Sequence, residues 1–202
     1  MKDTLRNFFQ NQLTEHELVI KKLRENVEEN FLDIVQICYE SIKNKNKLIF
    51  FGNGGSASDA QHLSTELAVR FSKNRKAIPA LSLVTDTSTI SAIGNDLGFE
   101  YLFSRQLEAI GQKGDVAIGI TTSGNSKNVI MGLKYAKENG LKTIVFTGKN
   151  IKNIEKISDA IISIPAVNTS RIQEAHILVG QMLCNALEFK LELAPLVNEQ
   201  KD

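Results

Sequence analysis

The sequence predicts an α/β protein, a three-layer αβα sandwich around a five-stranded parallel sheet with an N-terminal helical extension. Three observations carry this. Five short apolar runs, Leu48 to Phe51, Ala80 to Val84, Val116 to Ile120, Thr143 to Phe146 and Ile161 to Ile164, are continuous instead of alternating. Strands covered by helices on both faces read that way. Helical patterns separate the runs, as the crossovers of a parallel sheet require. Helices also precede the first strand, so the chain does not open on a strand-first βαβ unit.

In order, residues 4 to 29 place Leu5, Phe8, Phe9, Leu13, Leu18, Ile20, Leu23 and Val27 in a polar setting, which predicts one or two amphipathic helices. A further helix runs from Phe31 to about Ile42. These helices are expected to clasp the domain or a partner subunit. Within the core, helices are expected over Ser56 to Phe71, Asp86 to Ile93, Tyr101 to Ile110, Ser126 to Asn139 (closed by Gly140) and Ile151 to Ile157. A long last helix, Ser170 to Leu193, stops before Pro195. The chain reads as one domain over 1–202: N-terminal helices 1–46, an α/β core 47–193 and a polar tail 194–202.

Composition narrows the function classes. Lys plus Arg at 24 against Asp plus Glu at 23 leaves a net +1 with no block of like charge, so bulk charge implies neither a nucleic-acid nor a membrane partner. The N-terminal residues lack the apolar core of a signal peptide, and no apolar run approaches the roughly 20 residues of a membrane span. A cytoplasmic location is expected. Cys38 and Cys184 sit among apolar residues at helical spacing and read as buried, reduced thiols. No zinc-knuckle spacing is present.

The chemistry concentrates in two loops. After the first strand comes Gly52-Asn53-Gly54-Gly55-Ser56, and its glycines let main-chain N–H groups converge on an anion at a helix N-terminus. After the third strand comes Thr121-Thr122-Ser123-Gly124-Asn125-Ser126, with four hydroxyls, again before a helix. Ligands of open α/β sheets bind beyond the carboxyl ends of the strands, so both loops should face one crevice. Four hydroxyls in six residues favour a phosphomonoester there over mere N-caps. The first loop also fits G-x-G-x-x-G/A, but the strand that follows ends at Asp86, 34 residues after Gly52, too far for the ribose carboxylate of a dinucleotide site. No G-K-[ST] follows either, which argues against a Walker A loop. The hydroxyl loop is therefore expected to hold the phosphate, leaving Asn53 to Ser56 for the sugar end.

His62 and Glu66 are i and i+4 and share a helix face. The residues alone leave that pair open between a surface hydrogen bond and a shared metal or proton-transfer site. Arg70 either counters a phosphate or pairs with a carboxylate. Asp59 fits a first-turn carboxylate favoured by the helix dipole, and His16 reads as a solvated helix residue. Phe99, Tyr101 and Phe103 look like packing or interface.

Five segments in this order, GNGGSASDAQH, TELAVRF, ISAIGNDLGFE, TTSGNS and RIQEAH, resemble the sugar isomerase (SIS) domain family, and within it the phosphoheptose isomerases, from about residue 5 to residue 190. The resemblance implies a flavodoxin-like or Rossmann-like five-stranded sandwich, a homotetramer with active sites between subunits, and conversion of sedoheptulose 7-phosphate to D-glycero-D-manno-heptose 7-phosphate through an enediolate. It implies substrate contacts at Asn53, Gly54, Gly55, Ser56, Glu66, Asn95, Asp96, Thr121, Thr122, Ser123, Ser126 and Gln173. It further implies one zinc per subunit on His62 and Glu66, with help from Gln173. Glu66 is the expected base, and the stabiliser of the enediolate oxygen is either that zinc or a neutral histidine, with His176, three residues after Gln173, as the candidate.

The sequence departs from that family at Gln181, where many members carry a second histidine as zinc ligand and acid. An amide oxygen is a poorer zinc ligand than imidazole and is no general acid near neutral pH. A related branch, a tetramer that binds the bacterial replication initiator without catalysis, also lacks that histidine and is the alternative. Retention of Glu66 favours the enzyme.

Overall fold

A computed structural model of the chain describes residues 1–196, and the polar tail expected from 194 lies mostly outside the described residues. Two helices come first, α1 (Lys2–Asn26) and α2 (Glu28–Lys43), followed by β1 (Leu48–Gly52), α3 (Gly55–Ala68), β2 (Ala80–Ser82), α4 (Thr87–Asp96) and α5 (Leu102–Ile110). The chain continues through β3 (Val116–Thr121), α6 (Lys127–Glu138), β4 (Lys142–Thr147), β5 (Ala160–Ser163) and α7 (Thr169–Lys190). The five strands form one parallel sheet in the order β2-β1-β3-β4-β5.

Strand side chains alternate between the faces. On β1, Leu48 and Phe50 join Ile118, Ile120, Phe146 and Ile162 beneath α2, α3 and α7. Ile49 and Phe51 turn the other way, to Phe103, Leu107, Val129 and Leu133 of α5 and α6. Every residue of β1 and of β3 is buried, which is why their runs are apolar without alternation. Cys38 and Cys184 are buried free thiols, as their surroundings predicted.

Two elements differ from expectation for identifiable reasons. In place of a helix over 151–157 there is a turn and a single 3-10 turn, Glu155–Ile157. Asn150 and Asn153 use their side-chain amides on the hydroxyl loop, at distances of 2.8–3.1 Å to Asn125 and Ser123, and such side-chain bonds compete with helix. The second strand ends at Ser82 instead of Val84, although the Leu83 N–H still donates to the Phe50 carbonyl at 3.0 Å. His16 is more than a solvated residue, since its Nδ1 lies 2.8 Å from Glu174 Oε2 and ties α1 to α7.

The topology positions the site. From β1 the chain moves outward to β2, then returns to place β3 on the other side of β1. Strand order reverses there, and the crevice beyond the carboxyl ends of β1 and β3 is the binding place such sheets provide.

Candidate active site

Both loops leave that switch point side by side, because β1 and β3 are in register from Leu48↔Val116 to Gly52↔Ile120. A Cβ at Gly52 would stand 2.7 Å from the Ile120 carbonyl oxygen, so glycine is what allows this approach. Asn53 and Asn128 lock the loops together with two reciprocal amide bonds, each 2.8 Å. Asn128 is buried on the first turn of α6.

The hydroxyl loop is preorganised. Thr121 Oγ1 and Ser126 Oγ are 3.1 Å apart, and the Asn125 N–H donates to Ser123 Oγ at 3.2 Å. Ser126 takes the N-cap position of α6 without bonding the helix through its side chain, which leaves its hydroxyl and the first-turn N–H groups for a ligand. Gly124 has φ 67° and faces the Asn150 carbonyl oxygen, to which a Cβ would approach within 2.1 Å. Asn150 Nδ2 in turn donates to the Ser123 carbonyl at 3.1 Å.

Across the first loop lies α7. The Gln173 amide rests on Gly55, where a Cβ would meet its Nε2 at 2.3 Å. Further along, Gly180 lets α7 close on Leu63, with a Cβ distance of 2.5 Å. One residue later, Gln181 Nε2 is 3.4 Å from His62 Nε2, and His62 Nε2 is 3.3 Å from Glu66 Oε1. His62, Glu66 and Gln181 therefore form one cluster between α3 and α7. Glu66 is partly buried in it, while His62 reaches solvent. Seven residues separate Gly55 from His62, roughly 10 Å of helix rise, so Gln173 belongs with the glycine loop and Gln181 with the ionisable pair.

Asp59 sits one turn before His62 with its Oδ2 buried and without a partner. Burial pushes its carboxyl up to about 6, against the opposing pull of a positive His62. Its environment thus exceeds the dipole role its sequence position suggested.

Other expected residues stand elsewhere. His176 is fully buried, packed against the Phe146 ring at 6.0 Å between centroids. Burial holds its imidazole down at about 4; the nearby Thr147 backbone favours the charged form only weakly, and neither ring nitrogen makes a hydrogen bond of good geometry. It does not reach the open crevice as the i, i+3 spacing from Gln173 suggested. Asn95 and Asp96, joined by a 2.7 Å bond, end α4; Asn95 lies in a shallow cleft along α4, and Asp96 also lines the cleft between α4, α5 and α6. Those helices cover the sheet face opposite α3 and α7, so one chain alone does not bring the pair to the crevice. Arg70 is exposed beyond the end of α3.

Catalytic zinc takes three protein ligands, as in His2Glu sites. His62 and Glu66 supply two. No group of three or more His, Cys, Asp or Glu among the described residues could hold a metal ion. The remaining neighbour is the carboxamide of Gln181, so the residues present do not fit a resident zinc.

The sequence does not single out Asn128 or Asn150. Each acts on a loop far away in the chain, and only the first-turn position of Asn128 hinted at it.

Fold and site define an open parallel α/β protein with a loop-lined crevice beyond the carboxyl ends of β1 and β3. Residues 13–148 match the SIS domain family. Phosphoheptose isomerases of Nitratiruptor sp. and Paramagnetospirillum magneticum are 46% and 47% identical over 177 and 181 residues, covering 88% and 90% of this chain and 95% and 94% of theirs. The structure of the phosphoheptose isomerase from Neisseria gonorrhoeae superposes with a TM-score of 0.86 at 34% identity, over 92% of this chain and 99% of that one. That from Francisella tularensis gives 0.85 at 27% identity, over 93% and 97%. The chain belongs to the SIS domain family and, within it, to the phosphoheptose isomerases.

Proposed function

We propose that this protein is an aldose-ketose isomerase that converts sedoheptulose 7-phosphate to D-glycero-D-manno-heptose 7-phosphate. The observation that carries the reading is the Glu66 carboxylate, partly buried and 3.3 Å from His62, between α3 and α7 behind two loops built for a phosphorylated sugar. The named relatives are isomerases, which supports an enzyme over the initiator-binding scaffold.

In this reading the Thr121–Ser126 hydroxyls and the N-terminus of α6 hold the phosphate, while Asn53, Gly54, Gly55 and Ser56 orient the sugar. Glu66 takes the proton from C1 of the ketose. The electron pair forms the C1–C2 double bond, and charge collects on O2. The amide N–H of Gln181, beside Glu66 and His62, stabilises that charge. Glu66 returns its proton to C2, and His62 relays the O1 hydroxyl proton to O2, which leaves the aldehyde at C1. His176, buried and neutral, receives no step.

A homotetramer belongs to the proposal. Leu5, Phe8, Phe9 and Leu13 of α1 expose an apolar face that another copy would cover. Asn95 and Asp96 would then serve a neighbouring copy's crevice. A phosphorylated substrate is retained inside the cell, which supports a cytoplasmic site of action.

Incubation of the purified protein with sedoheptulose 7-phosphate should yield the aldose phosphate, and Glu66→Gln should lower kcat by about 100-fold or more. A wild-type protein without turnover, or a fully active Glu66→Gln variant, would overturn the proposal.

A further inference from the structure

We infer that the His62–Glu66 pair of this chain holds no resident zinc, and that Gln181 fills the third ligand direction as a hydrogen-bond partner of His62. The inference rests on reading this crevice as the isomerase site, but its test measures metal content and stands apart from turnover.

The geometry converges on one atom. His62 Nε2 has Glu66 Oε1 at 3.3 Å and Gln181 Nε2 at 3.4 Å. A single ring nitrogen is either a donor or an acceptor. With a proton it donates to Glu66; without one it accepts from the Gln181 N–H. Either state of Nε2 therefore bonds one of the two neighbours without a cation.

A metal would demand a different arrangement. It needs the lone pair of Nε2, a carboxylate oxygen and a third ligand in reach of both. An amide nitrogen has no lone pair to give. The opposite amide orientation would present a neutral oxygen, a ligand suited to hard cations more than to zinc. Asp59 does not complete the set, because its Oδ2 points into buried surroundings and the described residues contain no three-donor group. Gln173, whose amide lies over Gly55, likewise offers only a carboxamide.

The same geometry states what would create a zinc site. A histidine at 181 would face His62 and Glu66 across the gap that the amide now spans, giving the His2Glu set. Purified wild type and Gln181→His, each exposed to zinc and dialysed, are compared by elemental metal analysis and by competition with a zinc-sensitive dye. Wild type should retain far less than one zinc per chain. Gln181→His should retain about one and bind about 100-fold more tightly, and adding His62→Ala should abolish the gain. Wild type that keeps stoichiometric zinc through dialysis overturns the inference. So does a folded Gln181→His protein that gains none. Should that variant fail to fold, the wild-type metal content decides alone. Turnover that persists in chelator leaves the function standing, whereas a metal-free protein without turnover removes the function and leaves this inference intact.

Discussion

Lowering the pH should destabilise this fold through a single imidazole. His176 has no exposed surface, neither ring nitrogen has a well-formed partner, and burial holds it down at about 4 against an ordinary 6.5. In the unfolded chain that histidine is free to charge. Between pH 6.5 and 4 the unfolded state therefore binds more protons than the folded one, and stability is lost as pH falls through that window. The full gap is worth about 3 kcal/mol, and about 2.5 kcal/mol of it should be gone by about pH 4.5. Asp59 works the other way. Its carboxyl, raised to about 6, takes up a proton in the folded state first, so it adds stability as pH falls below that point. Wild type alone would mix the two effects, and the comparison must be with His176→Leu, which keeps Asp59 and removes the imidazole. Urea unfolding of both proteins near pH 7 and near pH 4.5 gives the answer. The acid loss should be larger in wild type by about 2.5 kcal/mol, and at neutral pH the variant should be nearly as stable, since no hydrogen bond is lost with the ring. Equal acid losses in the two proteins would refute the assignment of the sensitivity to His176.

Two further expectations concern the frame of the crevice. Arg75 and Glu188 form a buried ion pair at 2.7 Å, and Arg75 also donates to the Glu66 and Leu67 carbonyls at 2.8 and 2.7 Å. Glu188→Ala would leave the guanidinium uncompensated at a cost of about 3–5 kcal/mol, read as a drop of roughly 10 °C in Tm by thermal unfolding. Gly124→Ala would place a Cβ in the left-handed region against the Asn150 carbonyl, so the phosphate loop must shift. Steady-state kinetics should show KM for the sugar phosphate rising about tenfold with little change in kcat.

Much of the architecture was legible because strand and helix write different periods into the sequence. The runs at 48–51 and 116–120 are apolar at every position since both faces of those strands are covered, and the two loops after them announce themselves by composition. What tertiary contacts decide was not legible. The asparagines at 150 and 153 look ordinary in a helical stretch, yet they bond a loop some 25 residues upstream and thereby prevent the helix. His176 shows how little rotation is needed to mislead. Three residues advance a helix by about 300°, so Gln173 and His176 differ by about 60° around α7. That turn carries one side chain onto the glycine loop and the other under Phe146. Helix-face arguments place residues to within a quadrant, and a crevice edge is narrower than that.

The three contacts between α3 and α7 also determine what a substitution at 181 can mean. The helices meet at Gln173 over Gly55, at Gly180 against Leu63, and at Glu188, which receives both Arg75 and the Phe71 N–H just past the end of α3. Close packing at Gly180 and the buried ion pair fix the separation of the helices on either side of Gln181. The distance between residue 181 and His62 is therefore set by the backbone and not by the amide, whose 3.4 Å contact is too long to hold two helices together. Exchanging that amide for an imidazole changes the ligand chemistry while leaving its position in place. Metal retention by such a variant then reports on the identity of the side chain, and the geometry proposed for proton transfer in the wild-type chain is already the geometry a third ligand would need.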